Sequence, residues 1–156
     1  MEYPMLTQRL TELGITLPAA PKPLGVYVPA VRSGNLLFLS GQLPLVEGQL
    51  PREYTGKLGF NISLESGQAA ARQATLNALA ILDDVVGLEH VLRIVRLAGH
   101  VSSTPTFTEQ PKVVNAASEL LGNVFAEAGF HARLALGAVS LPLDSCIELE
   151  LIVEVK

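Results

Sequence analysis

Two charged residues near the C-terminus lie in segments that otherwise have the pattern of apolar β-strands. Arg133 opens the run 132–141, and Glu148 lies in the run 146–155, where carboxylates occupy alternate positions. Burying a charge in such a strand is costly unless the charge is paired or binds a ligand. Arginine suits a carboxylate ligand because its planar fork donates two parallel hydrogen bonds. A glutamate can act as a general base toward water. The simpler alternative is that Arg133 ends a strand in water and Glu148 lies on a solvated sheet face.

Strand geometry predicts that these two charges lie far apart within one chain. If residues 141–146 turn a hairpin, Val139 lies near Glu148 and Arg133 near Glu154. Arg133 and Glu148 are then separated by about six residues of strand, or roughly 20 Å at ~3.3 Å per residue. A bulge shifts the register by one residue and does not close that gap. If both residues serve one site, we expect Glu148 to come from another chain.

The rest of the sequence predicts an α+β fold, with both main helices packed on one face of a mixed sheet. Ser63 is a suitable N-cap for a helix that runs to about Val86, and a second helix is expected over residues 112–128. Strands are expected over residues 26–31, 36–40, 91–101, 134–141 and 146–155.

The N-terminal part of the chain differs from the rest in pattern. A short amphipathic helix is expected over residues 4–13, and a proline-rich connector follows over residues 17–23. We therefore divide the single-domain chain into an N-terminal helix with its connector, residues 1–23, and a main domain, residues 24–156.

Composition excludes several classes of protein. The 156 residues carry a net charge of −4, with no basic run and few aromatic residues, which argues against nucleic acid as a partner. The N-terminus does not have the pattern of a signal peptide, and no apolar run approaches the ~18 residues of a membrane helix. The single cysteine, Cys146, excludes an intrachain disulfide and fits a reducing compartment, so we expect a cytoplasmic protein. The three histidines lack metal-ligand spacing, and we expect neither a metal nor a cofactor.

Hydropathy indicates an oligomer. Mean hydropathy is +0.37, a high value for a chain without a membrane segment. Residues 147, 149, 151, 153 and 155 share an apolar face of the last strand, whereas the other face mixes three glutamates with Ile152. Because two helices cannot cover both faces of a sheet, we expect the second face to be buried between subunits.

Four segments, in this order along the chain, resemble the Rid family (RidA/YjgF). Residues 25–44 fit G-x-Y-x-x-x-V-x-x-G-N-x-x-x-x-S-G-Q-x-P, and residues 132–150 fit A-R-x-x-x-x-x-x-x-L-P-x-x-x-x-I-E-x-E. Between them, residues 71–77 and 114–117 match the family's two helices. The resemblance implies a chorismate-mutase-like fold in a homotrimer, with ligand sites in the three clefts between subunits. The best-known members hydrolyse 2-imino acids, and older members were called endoribonucleases.

The resemblance also implies which residues carry out the reaction. Arg133 matches the arginine that binds the substrate carboxylate, and Glu148 matches the glutamate that positions or polarises the attacking water. The main-chain carbonyl of Ala135 matches a further contact, although many members have cysteine at that position. Gly137 stands where a larger residue is common. Together with the N-terminal helix, these departures indicate a divergent branch.

Four more residues match positions that line the same cleft: Tyr27, Ser40, Gly41 and Asn115. The resemblance implies that Tyr27 flanks the apolar end of the ligand, that Ser40 and the Gly41 amide face its polar atoms, and that Asn115 lies at the rim. Each has a structural alternative. Gly41 could serve a strand-end turn, Tyr27 could lie in the core, and Asn115 could be an exposed helix residue.

The resemblance predicts hydrolytic deamination of enamine and 2-imino acid intermediates to 2-keto acids and ammonia. One alternative is a module that binds a small carboxylate-bearing metabolite without turnover, because a carboxylate site is common to both. A more distant alternative is an endoribonuclease. That activity needs a basic groove and an acid–base pair, and the sequence offers neither clearly.

Overall fold

The structure, a computed structural model, describes residues 6–156, so residues 4 and 5 of the first predicted helix lie outside the described residues. Within this range the chain forms three α-helices and five β-strands, which confirms the predicted α+β composition. In chain order the elements are α1 (Leu6–Glu12), β1 (Ala30–Ser33), β2 (Leu36–Leu39), α2 (Leu64–Val86), β3 (Val91–Ser102), α3 (Gln110–Phe125), β4 (Ala132–Ala138) and β5 (Ile147–Val155).

The strands of residues 6–156 form one mixed sheet with the order β1-β2-β5-β3-β4. Neighbouring strands are antiparallel except β3 and β4, which are parallel and are connected through α3. A parallel pair requires such a crossover because a tight turn reverses the chain direction. The edge strands are therefore β1 and β4, and β5 lies at the centre.

The hairpin that we considered between the last two strands does not form, because β3 lies between β4 and β5. Residues 142–144 form a 3-10 turn in which Leu143 and Asp144 have positive φ. This turn directs the chain away from β4 toward β5, and after it the Cys146 N–H donates to the Tyr54 carbonyl at 2.9 Å. The central position suits β5, since all five of its alternate apolar side chains are buried there. β4 is mostly exposed and therefore suits an edge.

Helices α2 and α3 pack against each other and on one face of the sheet, as predicted. The N-cap prediction is confirmed, since the Ser63 side chain accepts a hydrogen bond from the Ser66 N–H at 3.1 Å. Gly87 ends α2 with a φ of +79°. The approach of α3 to β3 is so close that a Cβ on Gly99 would lie 2.6 Å from the Val114 side chain. No helix within residues 6–156 is long and apolar enough to cross a lipid bilayer.

The first strand differs from its predicted range of 26–31. It begins at Ala30, and residues 24–28 lie exposed on the surface. Pro29 explains the difference, because proline has no N–H to donate to a strand ladder. The Ser40 hydroxyl instead donates to the Val28 carbonyl at 2.7 Å, and the Ser40 N–H donates to the Pro29 carbonyl at 2.9 Å. These two bonds hold the exposed segment against the end of β2.

The sheet face opposite the helices carries exposed apolar side chains in the single chain. Val31, Phe38 and Leu136 are 56%, 41% and 52% exposed. Their cross-strand partners include Ile152, which pairs with Phe38, and no element within residues 6–156 buries these side chains fully. Val31, Phe38 and Ile152 are neighbours in this register, and exposed apolar surface of this kind is typical of an interaction surface.

Candidate functional site

The predicted site residues fall into two groups in the folded chain. The glutamate cluster, as we name the first group, contains Tyr27, Ser40, Gly41 and Glu148. The second group, which we name the arginine cluster, contains Asn115, Arg133 and Ala135. Glu148 lies on the central strand β5, whereas Arg133 lies on the edge strand β4.

All four members of the glutamate cluster line one cavity of about 460 Å³. This volume falls within the ~300–1,000 Å³ typical of small-molecule sites. Ser40 and Gly41 follow directly after β2, and Tyr27 belongs to the exposed segment before β1. Tyr27 is 50% exposed, so its alternative placement in the core is wrong. Its hydroxyl oxygen accepts a hydrogen bond from the Leu24 N–H at 3.2 Å.

Gly41 is the residue that gives the Glu148 carboxylate its position. A Cβ built on Gly41 would stand 2.2 Å from Glu148 Oε1, closer than two such atoms can approach. The next residues of the same two segments also lie close together, because Gln42 and Leu149 exchange backbone hydrogen bonds of 2.7 and 3.0 Å. Any side chain at position 41 would therefore force the carboxylate to move from this position.

The environment of Glu148 raises its pKa above the ordinary value of 4.5. Burial of the half-buried carboxylate is the largest cause, and Glu150 adds a repulsive charge. His100, the cross-strand partner of Glu148 on β3, acts in the opposite direction and lowers the pKa. A carboxylate with a raised pKa is a stronger proton acceptor, which suits a general base.

Arg133 is held from one side by the helix that packs beside its strand. Its Nη1 donates to Asn115 Oδ1 at 2.8 Å and to Ser118 Oγ at 3.1 Å. Asn115 and Ser118 are three residues apart on α3 and therefore share one helix face. Within residues 6–156, the Nε and Nη2 groups of Arg133 have no hydrogen-bond partner, so one edge of the guanidinium fork is open to a ligand. Asn115 is exposed on α3, as its structural alternative states.

Ser118, which the sequence did not single out, and His131, two residues before Arg133, complete the support of Arg133. Ser118 Oγ lies 3.0 Å from His131 Nε2, and His131 Nδ1 lies 2.6 Å from the Gly129 carbonyl oxygen. A carbonyl only accepts, so we assign the ring proton to Nδ1 in the neutral imidazole. Nε2 then accepts from the Ser118 hydroxyl, whose oxygen accepts from Arg133. The three-residue spacing from Asn115 was the one sequence signal for Ser118.

The strand register keeps the two clusters apart within one chain. Arg133 pairs with Leu97 on β3, and Leu97 pairs with Leu151 on β5. Glu148 pairs with His100, which is three residues further along β3. Paired side chains share a face and neighbours along a strand alternate, so Arg133 lies on the helix face and Glu148 on the opposite face. The two residues do not meet in one chain, although the hairpin register behind that prediction is wrong.

Ala135 lies two residues after Arg133 on the same face of β4. It pairs with Gly99 of β3 and packs, partly buried, against the core. Gly137 follows, and a Cβ there would stand 2.9 Å from Ser103 Oγ and 3.0 Å from Gln110 Nε2. A larger residue at position 137 would therefore have to move these two polar side chains.

Cys146 lies outside both clusters and is not a reactive group. It is fully buried, and burial raises the pKa of its thiol to about 12. A thiol with that pKa stays protonated at neutral pH and is a poor nucleophile. Cys146 instead packs as a small residue of the hydrophobic core. Within residues 6–156, no three His, Cys, Asp or Glu side chains group as a metal site requires.

Comparisons with known proteins relate nearly the whole chain to one family. The family described as "YjgF/chorismate mutase-like, putative endoribonuclease" matches residues 7–155. Protein TCP17 of Trypanosoma cruzi is 43% identical over 149 residues, which cover 94% of this chain and 92% of that protein. The 2-iminobutanoate/2-iminopropanoate deaminase of Escherichia coli is 33% identical over 135 residues, which cover 85% of this chain and 90% of that enzyme. The crystal structure of Atu1372 from Agrobacterium tumefaciens, a protein with unknown function, has a TM-score of 0.88 and 41% identity, covering 97% of this chain and 92% of that chain.

Proposed function

Because this chain belongs to the YjgF/Rid family and has its chorismate-mutase-like fold, we propose that it hydrolyses 2-imino acids and their enamines to 2-keto acids and ammonia. The observation that carries the proposal is the division of the site. An arginine with an open fork and a half-buried glutamate in a cavity lie on two different surfaces of one chain. The Escherichia coli relative is named as a deaminase of this kind.

The proposed assembly is a homotrimer in which each cleft joins the arginine cluster of one subunit to the glutamate cluster of the next. The exposed apolar face of the sheet, which includes Val31, Phe38 and Leu136, supports this assembly because a single chain leaves it in water. A cyclic arrangement suits two different surfaces, since head-to-tail contacts close into a ring and repeat the same cleft.

In the proposed reaction, Arg133 binds the substrate carboxylate through its Nε and Nη2 groups. Glu148 accepts a proton from a water whose oxygen attacks the C=N carbon and passes that proton to the imine nitrogen, which gives the amino alcohol. The tetrahedral intermediate then loses ammonia and becomes the 2-keto acid. In this step Glu148 takes the hydroxyl proton as the C=O bond forms and gives it to the departing nitrogen, so one water is consumed and no redox step occurs.

The remaining residues of the cleft orient the substrate. Ser40 and the Gly41 amide face its polar atoms, Tyr27 flanks its apolar end, and Asn115 lies at the rim beside Arg133. The Ala135 carbonyl accepts a hydrogen bond from the nitrogen. A carbonyl oxygen at position 135 is independent of the side chain, which is why alanine replaces cysteine without loss of this contact.

The test generates 2-imino acids in situ with an amino-acid oxidase and traps unhydrolysed imine with semicarbazide. The protein is expected to lower the yield of semicarbazone. A mixing experiment then tests the shared cleft. The variants Arg133→Ala and Glu148→Gln, each inactive alone, are expected to regain about a quarter of the parent activity after unfolding and refolding together, because one cleft in four receives both intact residues in a randomly mixed ring.

Three results would contradict the proposal. A mixture that stays as inactive as the single variants contradicts the shared cleft. A parent protein that binds small carboxylates and hydrolyses no imine supports the binding module instead. Cleavage of RNA that survives repurification would support the endoribonuclease, and we expect any RNA binding to be weak and salt-sensitive at a net charge of −4.

A further inference from the structure

The proline-rich connector, residues 17–23, contributes one wall of the cavity that contains Glu148. Pro21, Lys22 and Pro23 line the same cavity as Ser40 and Glu148. These residues precede the family motif, which begins at Gly25. The part of the chain that the sequence pattern separates from the main domain therefore reaches the centre of the candidate site.

The connector is fixed in place at its N-terminal end. Leu10 of α1 is buried in the core, and the Ile15 N–H donates to the Leu10 carbonyl at 2.8 Å. Arg9 Nε donates to the Asn123 carbonyl at 2.9 Å, which ties α1 to α3. Prolines at positions 18, 21 and 23 limit the backbone of the connector, because the ring fixes φ.

The part of the lining that residues 43–45 form is also fixed. Leu43 and Leu45 line the cavity, and both are buried. Asn77 of α2, itself buried, donates through Nδ2 to the Leu43 carbonyl at 3.0 Å and to the Leu45 carbonyl at 2.9 Å. A cavity with two fixed walls selects a ligand by its size and polarity, since neither wall can collapse onto a small ligand.

The lining of this cavity is mostly apolar. Prolines and leucines predominate, among them Pro21, Pro23, Leu43 and Leu45, while Ser40, Gln42 and Lys22 are the polar lining residues besides Glu148. In the proposed reaction Arg133 binds the substrate carboxylate, and the water beside Glu148 attacks the C=N carbon. The part of a 2-imino acid that is left for the cavity is its side chain.

We infer that the connector and residues 43–45 form the side-chain pocket of the cleft, and that this pocket selects 2-imino acids with apolar side chains of the size of leucine or methionine. The inference rests on the proposed function, whose substrate class it specifies. A methyl or ethyl side chain leaves most of a cavity of about 460 Å³ unfilled. Each methylene that enters an apolar pocket is expected to raise kcat/KM by about fourfold.

The experiment compares imines formed in situ from alanine, 2-aminobutyrate, norvaline, leucine, methionine and glutamate. We expect kcat/KM to rise through the apolar series to leucine and methionine and to fall for glutamate. The double variant Pro21→Ser/Pro23→Ser is expected to reduce the leucine-to-alanine ratio of kcat/KM by about tenfold, since it makes the wall polar and flexible. Pro18→Ser, in the same connector and not among the lining residues, is the matched control and should keep the parent ratio.

Binding of the product 2-keto acids, measured by calorimetry, separates the two possible failures. Absence of turnover for every imine, with keto-acid affinity that still rises with side-chain length and depends on Pro21 and Pro23, overturns the deaminase and supports the pocket. Turnover and affinity that are the same for alanine- and leucine-derived compounds overturn the pocket and leave the deaminase intact. An unchanged ratio in the double variant, with parent-like circular dichroism, also overturns the inference.

Discussion

The glutamate cluster and the arginine cluster are held in position by different kinds of interaction. Glu148 lies on the central strand, and backbone placement sets its surroundings, because Gly41 leaves room for the carboxylate and the Gln42–Leu149 bridge holds the two segments together. Arg133 lies on an edge strand and is oriented by side chains, since Asn115 and Ser118 accept its Nη1 hydrogen bonds. One half of the site is built into the fold, and the other depends on a few polar contacts.

The two clusters differ in solvent exposure as well. Burial already raises the pKa of Glu148 in the single chain, whereas Arg133 is exposed. An exposed arginine binds a carboxylate weakly, because water competes for the same hydrogen bonds. The same pair becomes strong when the site excludes water. We therefore expect the single chain to raise the pKa of Glu148 without a partner. Arg133 is expected to bind a carboxylate tightly only after assembly excludes water from the site.

Replacement of the glutamate is expected to have the largest effect. Glu148→Gln should lower kcat by about 10²–10⁴-fold, since it removes the proton acceptor. The affinity for 2-keto acids should stay unchanged, because Arg133, which binds their carboxylate, is still present. Because the base must be ionised and its pKa is raised, the acidic limb of the parent kcat profile should fall at a pH above 4.5. A limb at or below that pH, or a variant with parent-like kcat, would exclude Glu148 as the base.

Replacement of the arginine should change binding. Arg133→Ala is expected to lower kcat/KM by about 30- to several thousand-fold, equivalent to ~2–5 kcal/mol, and to weaken 2-keto acid binding in parallel. Arg133→Lys should recover little, because an ammonium cannot form the bidentate fork. Sedimentation should report the same oligomer for the parent and both variants. If Arg133→Ala turns over imines as fast as the parent, the arginine cluster has no part in the reaction.

A substitution at Gly41 tests whether backbone placement controls the glutamate cluster. Gly41→Ala should lower kcat by about 10- to 100-fold, because the new Cβ displaces the Glu148 carboxylate and a displacement of about 1 Å can cost 10²-fold. Affinity for 2-keto acids should change much less. Gly122→Ala is the control, since a Cβ there meets no atom within 4 Å. Equal effects of the two substitutions would show that the close contact at Gly41 is unimportant.

The smallest effect is expected for the support of the arginine. Ser118→Ala removes an acceptor for the Arg133 Nη1 group and the hydroxyl that donates to His131 Nε2. We therefore expect KM to rise by about threefold to tenfold while kcat stays near the parent value. Ser118→Thr keeps the hydroxyl and should restore KM. Ser66→Ala on α2 is the control for the loss of a partly buried helix serine. A change in kcat without a change in KM would contradict a positioning role for Ser118.

Local signals in the sequence predicted the elements well. Ser63 predicted the start of α2, and the helix ends at Val86 as expected, where Gly87 has a positive φ, because such end signals act within one turn of the helix. Pro29 limited the first strand more than its apolar pattern indicated. The expected helix over residues 112–128 is α3 followed by a 3-10 turn over residues 126–129, in which Ala126 has a φ of +52°. Differences of this size come from single residues at element ends.

The amino-acid sequence by itself determined the family motif, the α+β pattern and the residue types that the proposed reaction needs. Only the tertiary structure decided the strand order, because strand pairing is a contact between distant segments and the hairpin that the chain order favours is absent. Strand order in turn placed Arg133 beside α3 and Glu148 in the cavity of residues 40–45. It also brought Ser118 to Arg133 and the connector to Glu148, and no local pattern carries either contact. Such contacts depend on how separate elements pack, which the tertiary structure alone specifies.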